Sequence, residues 1–396
     1  SMECPLTERE RITRTLRGQE TDRWPWSTRL DIWHTAVTRQ GKLPAELAGM
    51  SLMDIHRHLG IGRQSYARLT RMRLHGVDVR VEFEGRVISQ ERAPAMDFPA
   101  PRALVPPETP GDTVVIFDTP AGQARLRFRT NEILIREAAA PYLMEHVIKD
   151  DDDFRAVKWM LQHAEMEPAY DDFEAAEAEI GDYGFTLGLI GRVPFQQIVL
   201  DYMGEERAFY FMIDDRSGFQ YLMEALGEHA RRALEIGLAS PALLVEFGDN
   251  FDGMITSPRL FREHCIPFLQ EAADRVHAAG RRLGSHMDGN MEPLIDLVPQ
   301  CGVDVVESFS PAPLTPLSFA EAWRAWQGKV LMWGAIPSPI FESHVSDEEF
   351  RSWLDEMFET LAGDRRIILG IGDQALGSTL TERIRQVSDL LESQRG

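Results

Sequence analysis

RRLGSHMDGN, residues 281–290, reads as a short apolar strand that ends in a His-x-Asp pair and a glycine turn. His286 and Asp288 stand two apart, so on a strand both side chains leave the same face, about 6–7 Å apart along the chain. Gly289 lets the backbone turn sharply behind them. Such a pair can converge on one ion or one substrate. The alternative is a loop cap from His286 and an Asx turn from Asp288. The flanking segments decide between the two. Upstream, ALLVEF at 242–247 reads as a strand, and 257–279 as a helix with Ser257 as N-cap, Pro258 at its first position and Gly280 closing it. Downstream, helices are expected at 291–298, 319–326, 347–361 and 379–392, and strands at 304–308, 330–333 and 367–370. Short apolar strands that alternate with helices pair in parallel and carry the helices outside.

The N-terminal half is more varied. Residues 7–18 show a capping box, Thr7 with Glu10, and read as a short charged helix. RWPWSTRLDI at 23–32 reads as a strand running into a loop, with Trp24, Trp26, Arg29 and Asp31, then Trp33 and His34. Tryptophans around a polar pair suit a pocket for a flat organic molecule. Short helices are expected at 51–59 and 63–69. From 77 to 136, VDVRVEF, VVIFDTP, GQARLRFR and EILIREA alternate and are β-branched, which is the pattern of antiparallel hairpins. Helices follow at 154–167, 174–180 and 219–238, with the strand FTLGLI at 185–190. With an N-terminal strand and one from the hairpin region, the strand count comes near eight. The expectation is an α/β fold, a (β/α)8 TIM barrel in a single domain over 1–396, elaborated by β-hairpins at about 77–136.

Composition narrows the function. The chain has 396 residues and a formal charge of −21, with 63 acidic side chains against 42 lysines and arginines. This excludes a nucleic-acid-binding surface, which needs clustered cations, and an anionic membrane surface. No apolar run reaches transmembrane length, and no apolar signal core is evident. Ser1 before Met2 reads as a cloning remnant. Cys4, Cys265 and Cys301 have no metal-like spacing, so a reducing, cytoplasmic setting is expected. Gly-x-Ser-x-Gly, Walker and CxxC motifs are missing, and Gly370-Ile371-Gly372 fails the six-residue dinucleotide pattern at Ala375.

In such barrels the chemistry sits where the strands end. The strand exits carry Arg29 and Asp31, Arg192, Glu246 and Asp249, His286 and Asp288, Glu307, the GAIP run at 334–337, and Asp373. A histidine among carboxylates can hold a divalent metal through hard ligands, act as acid and base with a raised carboxyl pKa, or simply bind substrate. Spacing leaves all three open.

Six stretches carry a family resemblance: FDTPAGQ, HVIKDDDDFRAV, GLIGRVPFQQIVLDYMGEE, EFGDNFDGMITSPRLFREHCIPFLQ, GSHMDGNMEPLIDLVPQCGVDVVE and WGAIP. In this order the chain resembles the uroporphyrinogen decarboxylase-like superfamily, and within it the corrinoid-dependent methyltransferases. The resemblance implies a (β/α)8 barrel with its site at the C-terminal mouth. Thiol-methylating members are similar around a zinc bound by a His-x-Cys pair and a later Cys. Here His286 matches the histidine, while Asp288 and Asp373 stand where the cysteines would be. A harder ligand set disfavours a thiol acceptor and suits polarising an ether oxygen. That resembles the O-demethylating methyltransferases, which pass a methyl group from an aryl methyl ether to a cob(I)alamin on a separate corrinoid protein. On this reading His286, Asp288 and Asp373 hold the metal, zinc being the candidate. Glu246, Asp249 and His286 are catalytic, and Arg29, Asp31, Trp33, Arg192 and Glu307 hold the substrate. A homodimer is the default expectation. The runner-up is a metal-independent decarboxylase or lyase acting through Asp31 or Asp288. STRLDIWH, however, has only Arg29 where the decarboxylases carry paired arginines. A barrel that binds without turnover is a third reading.

Overall fold

The computed structural model describes residues 5–395, so Ser1, Met2 and Cys4 lie outside the described residues. Eight strands make one parallel sheet: β1 (Ser27–Thr28), β2 (Gly62–Arg68), β3 (Gly184–Leu189), β4 (Leu244–Phe247), β5 (Arg282–His286), β6 (Val305–Phe309), β7 (Leu331–Pro337) and β8 (Ile368–Gly372). They pair in chain order. A parallel bridge from Trp26 to Leu369 then brings the sheet round on itself, and the Leu369 N–H donates to the Pro25 carbonyl at 2.9 Å. This is the (β/α)8 barrel that the alternating pattern predicts.

The chain divides into two compact units. The first holds the barrel: the residues up to Ala67, then 171–189 and 241 onward. The second, Arg68–Tyr170 and Ile190–Ser240, carries a five-stranded antiparallel sheet and a three-stranded one. The larger sheet contains the hairpins expected near 77–136, namely Asp78–Phe83 with Arg86–Arg92 and Gly111–Thr119 with Gly122–Thr130. The second unit extends well beyond them. Among the described residues, no helix is long and apolar enough to cross a membrane.

Five local expectations need correction. Residues 63–69, read as a helix, form β2 instead. Its register against β1 pairs Ser27 with Gly62 and Thr28 with Arg63. No strand of the hairpin region enters the barrel sheet, so β2 supplies the strand expected from there. EILIREA is helical over Glu132–Arg136, because Asn131 accepts the Leu134 N–H at 2.8 Å and caps it. The N-terminal strand is only two residues long, and Asp31 already begins the helix Asp31–Arg39. The helix expected at 291–298 reduces to 3-10 turns at Glu292–Leu294 and Val298–Gln300, each with a proline near its start.

The barrel's lower core is completed by the helix Glu8–Leu16, whose capping box Thr7–Glu10 forms as expected. Ile12 and Leu16 pack with Phe185, Leu187, Leu244, Val305, Trp333 and Ile368 from five strands. Glu8 fastens the helix by accepting from the Trp26 N–H at 2.6 Å and from Arg23 at 3.0 Å. Ile12 is fully buried. Ile12→Ala is therefore expected to cost about 2–4 kcal/mol through lost transfer energy and the remaining cavity. A lowered urea midpoint at unchanged m-value checks this. An unshifted midpoint would mean that the helix is not part of the cooperative core.

Candidate active site

Inward positions alternate along each strand, and above the apolar layer they turn polar. Glu246 on β4, Gly284 and His286 on β5, and Glu307 on β6 face one another, with Gln64 and Tyr66 on β2. Gly284 makes the room for Glu246. A Cβ there would lie 2.7 Å from Glu246 Oε2. Gly284→Ala is thus expected to push the Glu246 carboxyl off its position and lower turnover at least about tenfold, while the β-strand backbone tolerates alanine. Turnover set against far-UV circular dichroism reads the effect, and full activity would show that Glu246 need not sit there.

His286 is the hub. Its Nδ1 lies 2.5 Å from Glu307 Oε2, and its Nε2 points to Asp288 Oδ2 at 3.4 Å and Asp373 Oδ1 at 3.7 Å. Glu307 is further held through Oε1 by the Tyr66 hydroxyl and by Gln64 Nε2 at 2.8 Å. The Arg29 guanidinium covers the Tyr66 ring, 4.1 Å from its centroid. Asn250 Nδ2 donates to both oxygens of Asp288 at 3.1 and 3.2 Å. Ser308 sits at a left-handed φ of 64°, and from there its hydroxyl donates to Asp373 Oδ1 at 2.6 Å. A non-glycine residue held in that region marks a site where the surrounding fold enforces geometry. Glu246 is the exception. It is fully buried, and neither of its oxygens has a hydrogen-bond partner.

The electrostatics follow from this packing. Burial and the charge of Glu307 push the Glu246 carboxyl well above its ordinary range, which favours its protonated form. Burial also works against ionised Glu307, but the charge and hydrogen bond of His286 outweigh it and hold Glu307 down at about 2. Burial disfavours a charged His286, yet Glu307 and Asp288 overcome it and raise the imidazole well above its usual value. Burial and the neighbouring Asp288 raise Asp373, while at Asp288 burial is outweighed by the hydrogen bond and charge of His286 together with the Asn250 amide, and its pKa is lowered. Within a few ångströms the packing thus favours a protonated Glu246, a charged His286 and ionised Glu307 and Asp288, with Asp373 shifted toward its acid form.

Seven sequence-derived residues come to this place: Arg29, Glu246, His286, Asp288, Glu307 and Asp373 in the cluster, and Asp31 at its margin. Asp31 is exposed and pairs with Arg63 at 3.2 Å, which leaves it little hold on a substrate. Asp249 faces elsewhere. It accepts from Ser285 Oγ at 2.7 Å, and Ser285 leaves β5 on the face opposite His286. Trp33 is 1% exposed, and Trp24 and Trp26 spend their indole N–H groups on the Asp364 carbonyl and Ser388 Oγ. The tryptophans are core residues, which corrects their reading as pocket walls. Arg192 belongs to the second unit and pairs with Asp201 at 3.0 Å. Tyr66 and Gln64 were missed. The signal was Gly62-x-Gln64-x-Tyr66, an alternation hidden because its inward members are polar.

Among the described residues, two groups have ligand atoms close enough to share a metal ion: His286, Asp288 and Asp373, and Glu246, His286 and Glu307. The first fits a divalent metal better. Nε2 and two carboxylates offer three hard donors, and Glu307 on Nδ1 supplies the outer hydrogen bond that fixes a metal-binding imidazole.

A family model described as uroporphyrinogen decarboxylase (URO-D) matches residues 131–393. Among solved structures, a methyltransferase from Methanosarcina mazei superposes with a TM-score of 0.56 at 13% identity, covering 98% of this chain and 99% of that one. At that identity the likeness speaks for the fold. A GH2 beta-galacturonidase from Eisenbergiella tayi, bound to galacturonate, aligns at 11% identity over 84% of this chain and 72% of that one, with a TM-score of 0.31 that carries no argument. No curated protein matches the chain by sequence. The model match takes in four of the five carboxylates and the histidine of the mouth, along with six of the eight strands, and on this ground the chain belongs to the uroporphyrinogen decarboxylase (URO-D) family.

Proposed function

We propose that this chain is a methyltransferase that removes a methyl group from a small methyl ether and delivers it to a cob(I)alamin carried by a separate corrinoid protein. The observation that carries the reading is the two-sided histidine. His286 is locked at Nδ1 by Glu307, while Nε2 opens toward Asp288 and Asp373. A divalent metal on these three residues, zinc being the candidate, would act there as a Lewis acid toward a substrate oxygen. Glu307 keeps the imidazole in the required tautomer and orientation. Glu246 is fully buried beside His286, their Oε1 and Nδ1 atoms 4.0 Å apart, and its raised pKa suits it to carry a proton. When the carbon–oxygen bond breaks, the oxygen keeps the electron pair and takes the Glu246 proton. Arg29 and Tyr66 close one side of the site and orient the substrate. The hard donors support an ether rather than a thiol, and the resemblance supports an aromatic one. The buried tryptophans add nothing to the aromatic part.

A second reading is a metal-independent decarboxylase or lyase. The raised Glu246 and His286 beside the lowered Asp288 favour it, since proton donors and an acceptor then stand together without a metal. Elemental analysis of the purified protein, followed by turnover of methoxylated aromatics with a corrinoid protein, separates the two. Stoichiometric metal with methyl transfer to cob(I)alamin is expected. A metal-free protein that still turns over a carboxylated substrate would replace the first reading with the second.

A further inference from the structure

The second unit contains a basic cluster that the proposed reaction does not use. In a chain with 63 acidic against 42 basic side chains, Arg102 feels the charges of Arg68, Arg192 and Asp201, and His146 those of Arg102, Arg207 and Asp201, while Asp97 pairs with Arg68. Those carboxylates are engaged by particular arginines: Asp97 pairs with Arg68 at 2.9 Å and Asp201 with Arg192 at 3.0 Å. His146 spends Nε2 on the Leu200 carbonyl at 3.0 Å, and Arg207 reaches the Ile148 carbonyl at 3.5 Å.

Arg102 stands apart from them. Its guanidinium makes no hydrogen bond or ion pair among the described residues and lies 5.7 Å from the Phe128 ring centroid. Only half-exposed, it follows a proline-rich segment and begins the 3-10 turn Arg102–Leu104, which fixes where its side chain starts. Burial lowers its pKa, and Arg192 and Arg68 lower it further against the pull of Asp201. A planar five-donor fork partly withdrawn from water, without a protein acceptor and beside like charges, gains when an anion joins it. The surrounding cations would welcome the same anion.

We propose that Arg102, with Arg192 and Arg68 beside it, forms an oxyanion-binding site that takes the carboxylate or phosphate group of a small ligand. The guanidinium would grip two oxygens side by side, with the Phe128 ring against its face. The site rests on residues of the second unit alone and stands or falls independently of the barrel chemistry.

The test is calorimetric titration of the full chain with inorganic phosphate and, separately, benzoate, in low-salt buffer with chloride as control. Millimolar or tighter binding of at least one is expected, weakened about tenfold or more in Arg102→Ala and less in Arg102→Lys, which keeps the charge and loses the fork. Phosphate alone would name a phosphorylated ligand, and benzoate alone a carboxylated one. Arg102→Ala should also melt no lower than the parent, because it relieves repulsion. Equal binding by parent and Arg102→Ala, or no binding of either anion at millimolar concentration, would overturn the site. Metal content and methyl transfer play no part in this readout.

Discussion

On the proposed function, His286→Ala is expected to abolish metal binding and lower methyl transfer by roughly three orders of magnitude, while keeping the barrel fold. The side chain joins both halves of the site, since Nδ1 meets Glu307 and Nε2 meets Asp288 and Asp373. Its removal takes away the one nitrogen of the proposed ligand set and frees Glu307 from the imidazole. Gln64 and Tyr66 still satisfy Glu307 Oε1, so the stability loss should stay at about 1–3 kcal/mol. Glu307→Gln provides the graded counterpart. It weakens the outer hydrogen bond and should cost about 10–100-fold in metal affinity. Elemental analysis, circular dichroism and turnover on the same preparations check both variants. A variant without His286 that retains metal and activity would sink the proposed function outright.

Glu246→Gln should behave in the opposite way, keeping the metal and losing the rate. Glutamine fills the space beside Gly284 but has no proton to give, so kcat should fall about 10²–10⁴-fold with metal content unchanged. The pH dependence supplies a second signature. Glu246 is raised by burial and by Glu307 from an ordinary value of 4.5, so the folded chain binds this proton more tightly than the unfolded one. The stability this contributes is complete below the unfolded value and declines as pH rises toward the folded one. Glutamine stays neutral throughout. The variant should therefore gain on the parent as the solution becomes alkaline, and urea unfolding at mildly acid and alkaline pH reads the crossover. The parent's rate should also drop on the alkaline side, where the variant's residual rate stays flat. A parent and variant of equal kcat would remove Glu246 from the chemistry.

The barrel was legible because its strands β3 to β8 are apolar and regularly interleaved with helices, a pattern that packing alone enforces. Along these strands the inward polar residues also stood out: Glu246, His286 and Glu307 break apolar runs, and Asp288 and Asp373 follow them. β1 and β2 were harder. β1 is two residues long, and β2 has Gln64 and Tyr66 where a core strand shows aliphatics, so function had erased the structural signal. Asp249 shows the opposite limit. It lies two residues beyond β4, and the loop turns it to Ser285 on the outer face, an orientation set by tertiary packing. The tryptophans of 24–33 looked like pocket walls because burial in a core and burial around a ligand use the same residue types.

The seam between Trp26 and Leu369 has a kinetic side. The barrel closes only when its first and last strands meet, and the helix that seals its lower core is attached to the first of them. During synthesis β1 can pair with β2 early, but its other edge, and part of the cover over Ile12 and Leu16 of the helix, must wait until β8 has been made. Such late, long-range closure makes for slow folding and a prolonged aggregation-prone interval. The short β1 keeps that waiting edge to two residues, with the charged helix Glu8–Leu16 close by in the chain.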